Sequence, residues 1–348
     1  MSQLTQKIVQ RKSAAGFSLI ELMISILLGL IIISGAVSVY LGTKRSFNEA
    51  DQVATLSENG RFALQLMSNS VRHINFFGGA FPADIRMGSS LDTSVADNCS
   101  GDASAYDTAN SMFAVRATSA SVLNCITDAV PNTDVLVIKG VEPDPLYDAD
   151  PDDPNAPRDG QISFPAGAWS NQEVYVVANT EAGVIIDGAD TKPDVLVGSE
   201  FALGVAWPYR LFIYYVRQEQ SPGAGPTLSR KVLTWRPSAS SMAVETQDLV
   251  QGVEDLRFLF GYDAAGSGNV NTMTNLDAVT TAGAWDEVTS VQVFVLVRSD
   301  VSDPNYQNEK TYQLGDLAVG PMNDNFRRVL LHSQVVMRNP RLLLRGGA

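Results

Sequence analysis

The sequence predicts an α+β protein in which one long N-terminal helix packs on a mostly antiparallel β-sheet domain with long loops. Three observations predict it. Phe17 to Leu41 is an apolar run whose only charge is Glu21. Apolar residues then recur at helical spacing as far as Phe77, with no proline between. Most of the remainder breaks into short β-type segments, of which Val288 to Arg298 alternates most cleanly.

The first element is of membrane length. Its twenty-five residues suffice to cross a hydrocarbon core of about 30 Å as a helix, and the run exceeds the roughly 7–15 residues of a removable secretory segment. Lys7, Arg11 and Lys12 precede it without an acid, which predicts a cytoplasmic N-terminus, a single membrane pass and an exported bulk. Lys44 and Arg45 at the far end weigh slightly the other way. Glu21 needs its own account, because a carboxylate within a span costs about 2–3 kcal/mol and is a functional candidate by default. Either the helix dipole stabilises it near the headgroups, or it pairs with a cation, the natural one being a new α-amino group created at Phe17.

Beyond Leu41 the pattern turns amphipathic: Phe47, Ala50, Val53 and Ala54, then Ala63, Leu66, Met67, Val71, Ile74 and Phe77. Gly60 weakens the helix locally, and Gly78-Gly79 followed by Pro82 supplies the expected stop. The expected organisation is therefore a basic leader over 1–16, a membrane and assembly helix over 17–41, an amphipathic half over 42–79, and an exported β-rich domain over 80–348.

The charge balance bounds function. The 348 residues carry a formal charge of −13, and without the three cations of the leader the remainder carries about −16, which argues against nucleic-acid partners. Cys99 and Cys125 are the only cysteines. In an exported domain they are expected to pair, with two separate buried thiols as the alternative. No C-x-x-C, phosphate-binding loop or G-x-S-x-G elbow occurs, and no cofactor is expected. His73 and His332 read as structural, and Trp169, Trp207, Trp235 and Trp285 as core or sheet-face residues.

Residues 81–133 read as a long connection holding both cysteines, with strands after it at 134–139, 173–178, 183–186, 195–197 and 211–217. A turn at 221–226 closes a hairpin with 228–235. Leu249 to Tyr262 reads as a short turn or helix running into a strand, and Phe326 to Arg338 as the last strand. The proline-rich stretch 143–157 is a surface loop. Its Asp148, Asp150 and Asp152 have the spacing of the start of a calcium loop. Asp153 stands where such a loop wants glycine and no glutamate closes it, so a solvated acidic loop is preferred over a weak calcium site.

The run Gly16-Phe17-Ser18-Leu19-Ile20-Glu21-Leu22-Met23 resembles the processing site of type IV pilins and type II secretion pseudopilins. The resemblance implies that a prepilin peptidase cuts after Gly16 and N-methylates Phe17, and that Glu21 meets a neighbouring subunit's terminus during assembly. Val250-Gln251-Gly252-Val253-Glu254-Asp255-Leu256 is similar to a segment shared by PilW-type minor pilins and the J-type minor pseudopilin. Phe326-Arg327-Arg328-Val329 through Met337-Arg338-Asn339-Pro340 looks more like the PilW type. The implied function is a non-enzymatic minor pilin of a type IV pilus initiation or tip complex. Its implied partners are other minor and major pilins, the peptidase and the assembly platform, and its destination is the pilus at the cell surface. A type II secretion pseudopilin and a tip adhesin are the alternatives.

Overall fold

The computed structural model describes residues 16–148, 158–165, 167–262, 270 and 272–337. The chain divides into two compact units, Met1–Gln52 and Val53–Ala348. Helix α1, Leu19–Arg72, begins in the first and ends in the second.

In the first unit the apolar side chains from Phe17 to Leu41 are exposed. Among the described residues, α1 is the one helix long and apolar enough to cross a membrane, consistent with a membrane-anchored topology.

In the second unit, strands come after α1 in the order β1 (Ile85–Met87), β2 (Met112–Arg116), β3 (Asp134–Val141), β4 (Tyr175–Ala178), β5 (Gly183–Ile186), β6 (Val205–Arg217), β7 (Thr227–Arg236), β8 (Ser241–Gln251), β9 (Val253–Tyr262) and β10 (Thr272–Asn275). A short helix α2 (Leu276–Ala282) precedes β11 (Val288–Arg298), β12 (Tyr312–Leu314), β13 (Leu317–Val319) and β14 (Arg328–Val336). They form an eight-stranded sheet, a four-stranded sheet ordered β10-β9-β11-β14, and the β12–β13 hairpin. Every strand pair is antiparallel except β1–β5.

The end of α1 is set by packing. Leu56, Ala63, Leu64, Met67 and Val71 face a core that both larger sheets line. The helix needs small residues where a strand comes close, and Gly60 is such a place: a Cβ there would collide with Leu331 Cδ1 on β14. The helix stops at Arg72, earlier than the glycine pair suggests, because Asn75 takes a left-handed conformation (φ 60°). The turn lets Ile74 join this core while Phe77 joins a second one on the other face of the eight-stranded sheet. Gly78 (φ +72°) then passes so near Trp207 that a Cβ would lie 2.5 Å from its Nε1.

Several expectations need correction. Gln251 and Val253 belong to consecutive strands, with no helix between. Gly252 (φ +84°) makes the turn, and a Cβ on it would sit 2.8 Å from the Arg298 carbonyl. Residues 195–197 are loop, held by Val195 N–H on the Gly160 carbonyl (2.9 Å). β6 starts six residues before its expected start and contains Pro208, which pairs with Tyr175.

Candidate assembly site

At the N-terminus, Ser18 precedes the first helical residue and Glu21 stands three positions on, the spacing of a capping box. The geometry matches: Glu21 Oε2 accepts the Ser18 backbone N–H at 2.9 Å. The first helical bond runs from Leu22 N–H to the Ser18 carbonyl (3.2 Å), and Ser25 Oγ donates to the Glu21 carbonyl (2.7 Å). Phe17 is 83% exposed. The carboxylate is thus folded back to the helix mouth, one residue from Phe17, where unsatisfied N–H groups favour negative charge.

The other sequence candidates are structurally placed. Cys99 and Cys125 form a disulfide and are both buried. It closes a segment short of long strands that is also held by Lys139, a fully buried residue of β3 whose Nζ donates to the carbonyls of Asp102 and Asp107. Burial pushes the Lys139 ammonium down to about 8. Asp148 accepts the N–H groups of Asp159 and Gly160, each at 3.1 Å, whereas Asp150 and Asp152 lie outside the described residues. Among the described residues no group of three His, Cys, Asp or Glu side chains could hold a metal ion. His73 lies in the turn after α1, and His332 stacks on Phe294 across β11 and β14.

The two C-terminal segments singled out in the sequence meet. Glu254 is the second residue of β9 and Arg328 the first of β14, and the strand between them, β11, ends at the same level. Arg328 Nε and Nη2 donate to the Glu254 carboxylate at 2.5 and 3.0 Å, while Nη1 and Nη2 reach Asp324 at 2.7 and 2.7 Å. Burial opposes charge on Arg328, but the two carboxylates outweigh it and hold the guanidinium above its ordinary range. The bonds to Arg328 in turn hold Asp324 below the usual carboxylate range. Neighbouring Arg327 pairs with Asp303 (3.0 Å) and lies over the Tyr306 ring. The pairing fastens three strands at one end.

A second cluster, which sequence reasoning missed, joins the two larger sheets. Asp134 on β3, 1% exposed, accepts Phe258 N–H at 3.0 Å and Arg257 Nη1 at 3.3 Å from β9, and pairs with Arg116 Nε on β2 at 2.6 Å. Arg257 Nε lies 3.3 Å from Asp255 Oδ1, so one buried guanidinium serves two carboxylates. The available signal was a charge flanked by large apolar residues, as in Leu256-Arg257-Phe258. Burial, with Asp134 and Glu254 nearby, pushes the Asp255 carboxyl up to about 6, against the pull of Arg257.

That shift predicts an unusual pH slope. Between about pH 4 and 6 the folded chain holds a proton on Asp255 that the unfolded chain has released. This group's contribution to stability therefore falls as pH rises through that window, by on the order of 2–3 kcal/mol in all. In urea titrations across pH 4–7, Asp255→Asn should remove this component of the slope; an unchanged slope would refute it.

Residues 213–339, which include β14, Glu254 and Arg328, match the family model described as Type IV Pilus-assembly protein W. The chain carries a PilW-family domain. Residues 11–37, spanning Gly16, Phe17 and Glu21, match the Prokaryotic N-terminal methylation motif typical of type IV pilins. Together the matches make two segments of the chain, one near each end, similar to families of the type IV pilin machinery in general. No curated protein and no solved structure matches it. The PilW match begins within β6, so it takes in the β7–β8 hairpin and the whole four-stranded sheet, and both ends of the Glu254–Arg328 pairing fall inside it.

Proposed function

We propose that this chain is a minor pilin of a type IV pilus initiation or tip complex, processed after Gly16, N-methylated at Phe17 and incorporated through its N-terminal helix. Before assembly the helix over 17–41 anchors it in the inner membrane with the bulk in the periplasm; afterwards it lies in the pilus. The observation that carries the reading is Glu21: a carboxylate turned back on the helix mouth, at the head of an exposed apolar helix, in a chain that also carries a PilW-family domain.

A helix packed among other apolar helices needs Glu21 to be neutralised. Cleavage after Gly16 would create an α-ammonium group at Phe17, one residue from the N–H that Glu21 now holds. A neighbouring subunit's terminus offers the same cation, so charge pairing would favour the incoming subunit's docking. Other pilins, the peptidase and the platform protein supply the remaining steps. A type II secretion pseudopilin would share this N-terminal chemistry. The domain match to a pilus-assembly protein favours the pilus.

Glu21→Ala should insert into the membrane normally, yet its abundance in sheared pili should fall roughly tenfold or more, since an unpaired terminus in an apolar interior costs at least about 1.4 kcal/mol. Equal abundance of mutant and wild type would contradict charge pairing. Loss of secretion in a null strain with normal pili would favour the pseudopilin instead.

A further inference from the structure

We propose that the outer edge of β14 is a strand-addition site that receives an extended, acid-bearing segment of another polypeptide.

The direction of each backbone group is fixed by register. Ser299 N–H bonds to the Arg327 carbonyl and Met337 N–H to the Thr289 carbonyl, each at 2.9 Å, and these bracket nine β11–β14 pairs in unbroken register. The odd-numbered residues of β14 therefore bond to β11, and the even-numbered ones direct N–H and C=O away from the sheet. β14 is the last strand of its sheet. Among the described residues, the main-chain groups of Leu330, His332, Gln334 and Val336 have no hydrogen-bond partner, and the last three of these residues are exposed.

An edge of this kind is normally guarded by brevity, a bulge, proline, lysine or a covering segment. The other edges here are guarded. β1, β2 and β10 have three, five and four residues. The long β8 has a register shift in its pairing with β7, and Ala96 bonds to the edge groups of Met242 and Val244. β14 has nine residues, no proline, no lysine and no bulge. Only an extended backbone can complement such a row of alternating donors and acceptors, so the edge itself defines the occupant's chemistry.

Charge narrows it further. From Phe326 to Ala348 the sequence has five arginines and no acid, within a chain of net charge −13. Arg327 and Arg328 are neutralised by Asp303, Glu254 and Asp324. The other three, Arg338, Arg341 and Arg345, come after the strand's C-terminal end in the sequence. An acidic residue on the incoming strand near that end is favoured, and a second copy of β14, whose nine residues include no acid, does not supply one.

Proline at an outward-facing position tests this without touching the β14–β11 ladder, because it removes only an N–H that points away. A photo-crosslinking residue is placed at Gln334 in the full-length chain in its own cells, alone and with His332→Pro or His332→Ala. The expected result is an adduct mapping to one extended, acid-containing segment of a different protein, retained with His332→Ala and reduced at least tenfold with His332→Pro. No adduct, an adduct to residues 338–348 or to a second copy, or equal adducts in both variants would overturn the proposal. Hydrogen exchange reads the same edge without a proline: the amides of Leu330, His332, Gln334 and Val336 should exchange freely in the detergent-purified chain and at least a hundredfold more slowly in its cell-assembled complex. Equal rates in the two states would overturn it as well. Because the adduct is read in cells whether or not pili form, its loss is distinguishable from failure of the pilin reading.

Discussion

Replacing Asp134 by alanine is expected to destabilise the second unit by about 3–5 kcal/mol, the usual consequence of removing one partner from a buried ion pair. Asp134 is 1% exposed, accepts two hydrogen bonds from β9 and forms an ion pair with Arg116 on β2, in the other sheet. Its removal strands the Phe258 N–H and leaves Arg257, whose side chain is 5% exposed, with one carboxylate, Asp255, in place of two. Arg116, at 29%, can turn to water and should add little. The measurement is chemical unfolding of wild type, Asp134→Ala and Asp134→Asn. Asparagine keeps an acceptor for Phe258 but not the charge, so it should fall between the other two. Equal stability of all three would show that the sheets are joined by apolar packing alone.

Loss of the Cys99–Cys125 disulfide should cost about 3.5 kcal/mol, because the 26-residue separation sets the chain entropy that the bond removes from the unfolded state. The surroundings make that loss matter. From Gly88 to Ser111 the described chain has no strand longer than an isolated bridge, so few ladder bonds would hold it once the bond is gone. Lys139 remains as a second tie, gripping the carbonyls of Asp102 and Asp107. Cys99→Ser with Cys125→Ser should therefore lower the melting temperature and open this segment to protease first. A melting temperature unchanged in both the double variant and the reduced wild type would contradict the entropic account.

How legible the fold was depended on which physical signal each element carried. α1 and β11 were plain, since an unbroken apolar run and a clean alternation are strong local patterns, and β11 has the bounds that its alternation predicts. β8 was hidden because Glu245, Thr246, Gln247 and Asp248 fill its middle, and its strand character comes from pairing with β7 rather than from burial. β6 is longer than expected and runs through Pro208, whose missing N–H is unfavourable in a central strand but whose carbonyl still accepts Glu142 N–H. The division of the strands into two larger sheets has no local signature at all. Where the sheets meet, the partners are distant in sequence, as with Asp134 and Arg257, 123 residues apart.

The place of Glu21 at the head of the helix was legible, because the motif sits in six consecutive residues at the start of the apolar run. Spacing alone puts Glu21 on the first turn, and the structure adds that its carboxylate caps Ser18. In the C-terminal domain the sequence singled out the segments around Glu254 and Arg328 but not their contact, since a β11 strand intervenes and register alone decides which charges face. The long open edge of β14 was equally invisible, because an edge is a property of sheet order.

Whether the N-terminal motif makes this chain a processed pilin subunit is tested most directly by mass spectrometry of the N-terminal peptide from the protein in its own membranes. The expected chain begins at Phe17 and carries one methyl group on its α-amine. A mature chain that still begins at Met1, with residues 1–16 attached, would contradict this and leave Glu21 without the cation on which assembly is argued to depend.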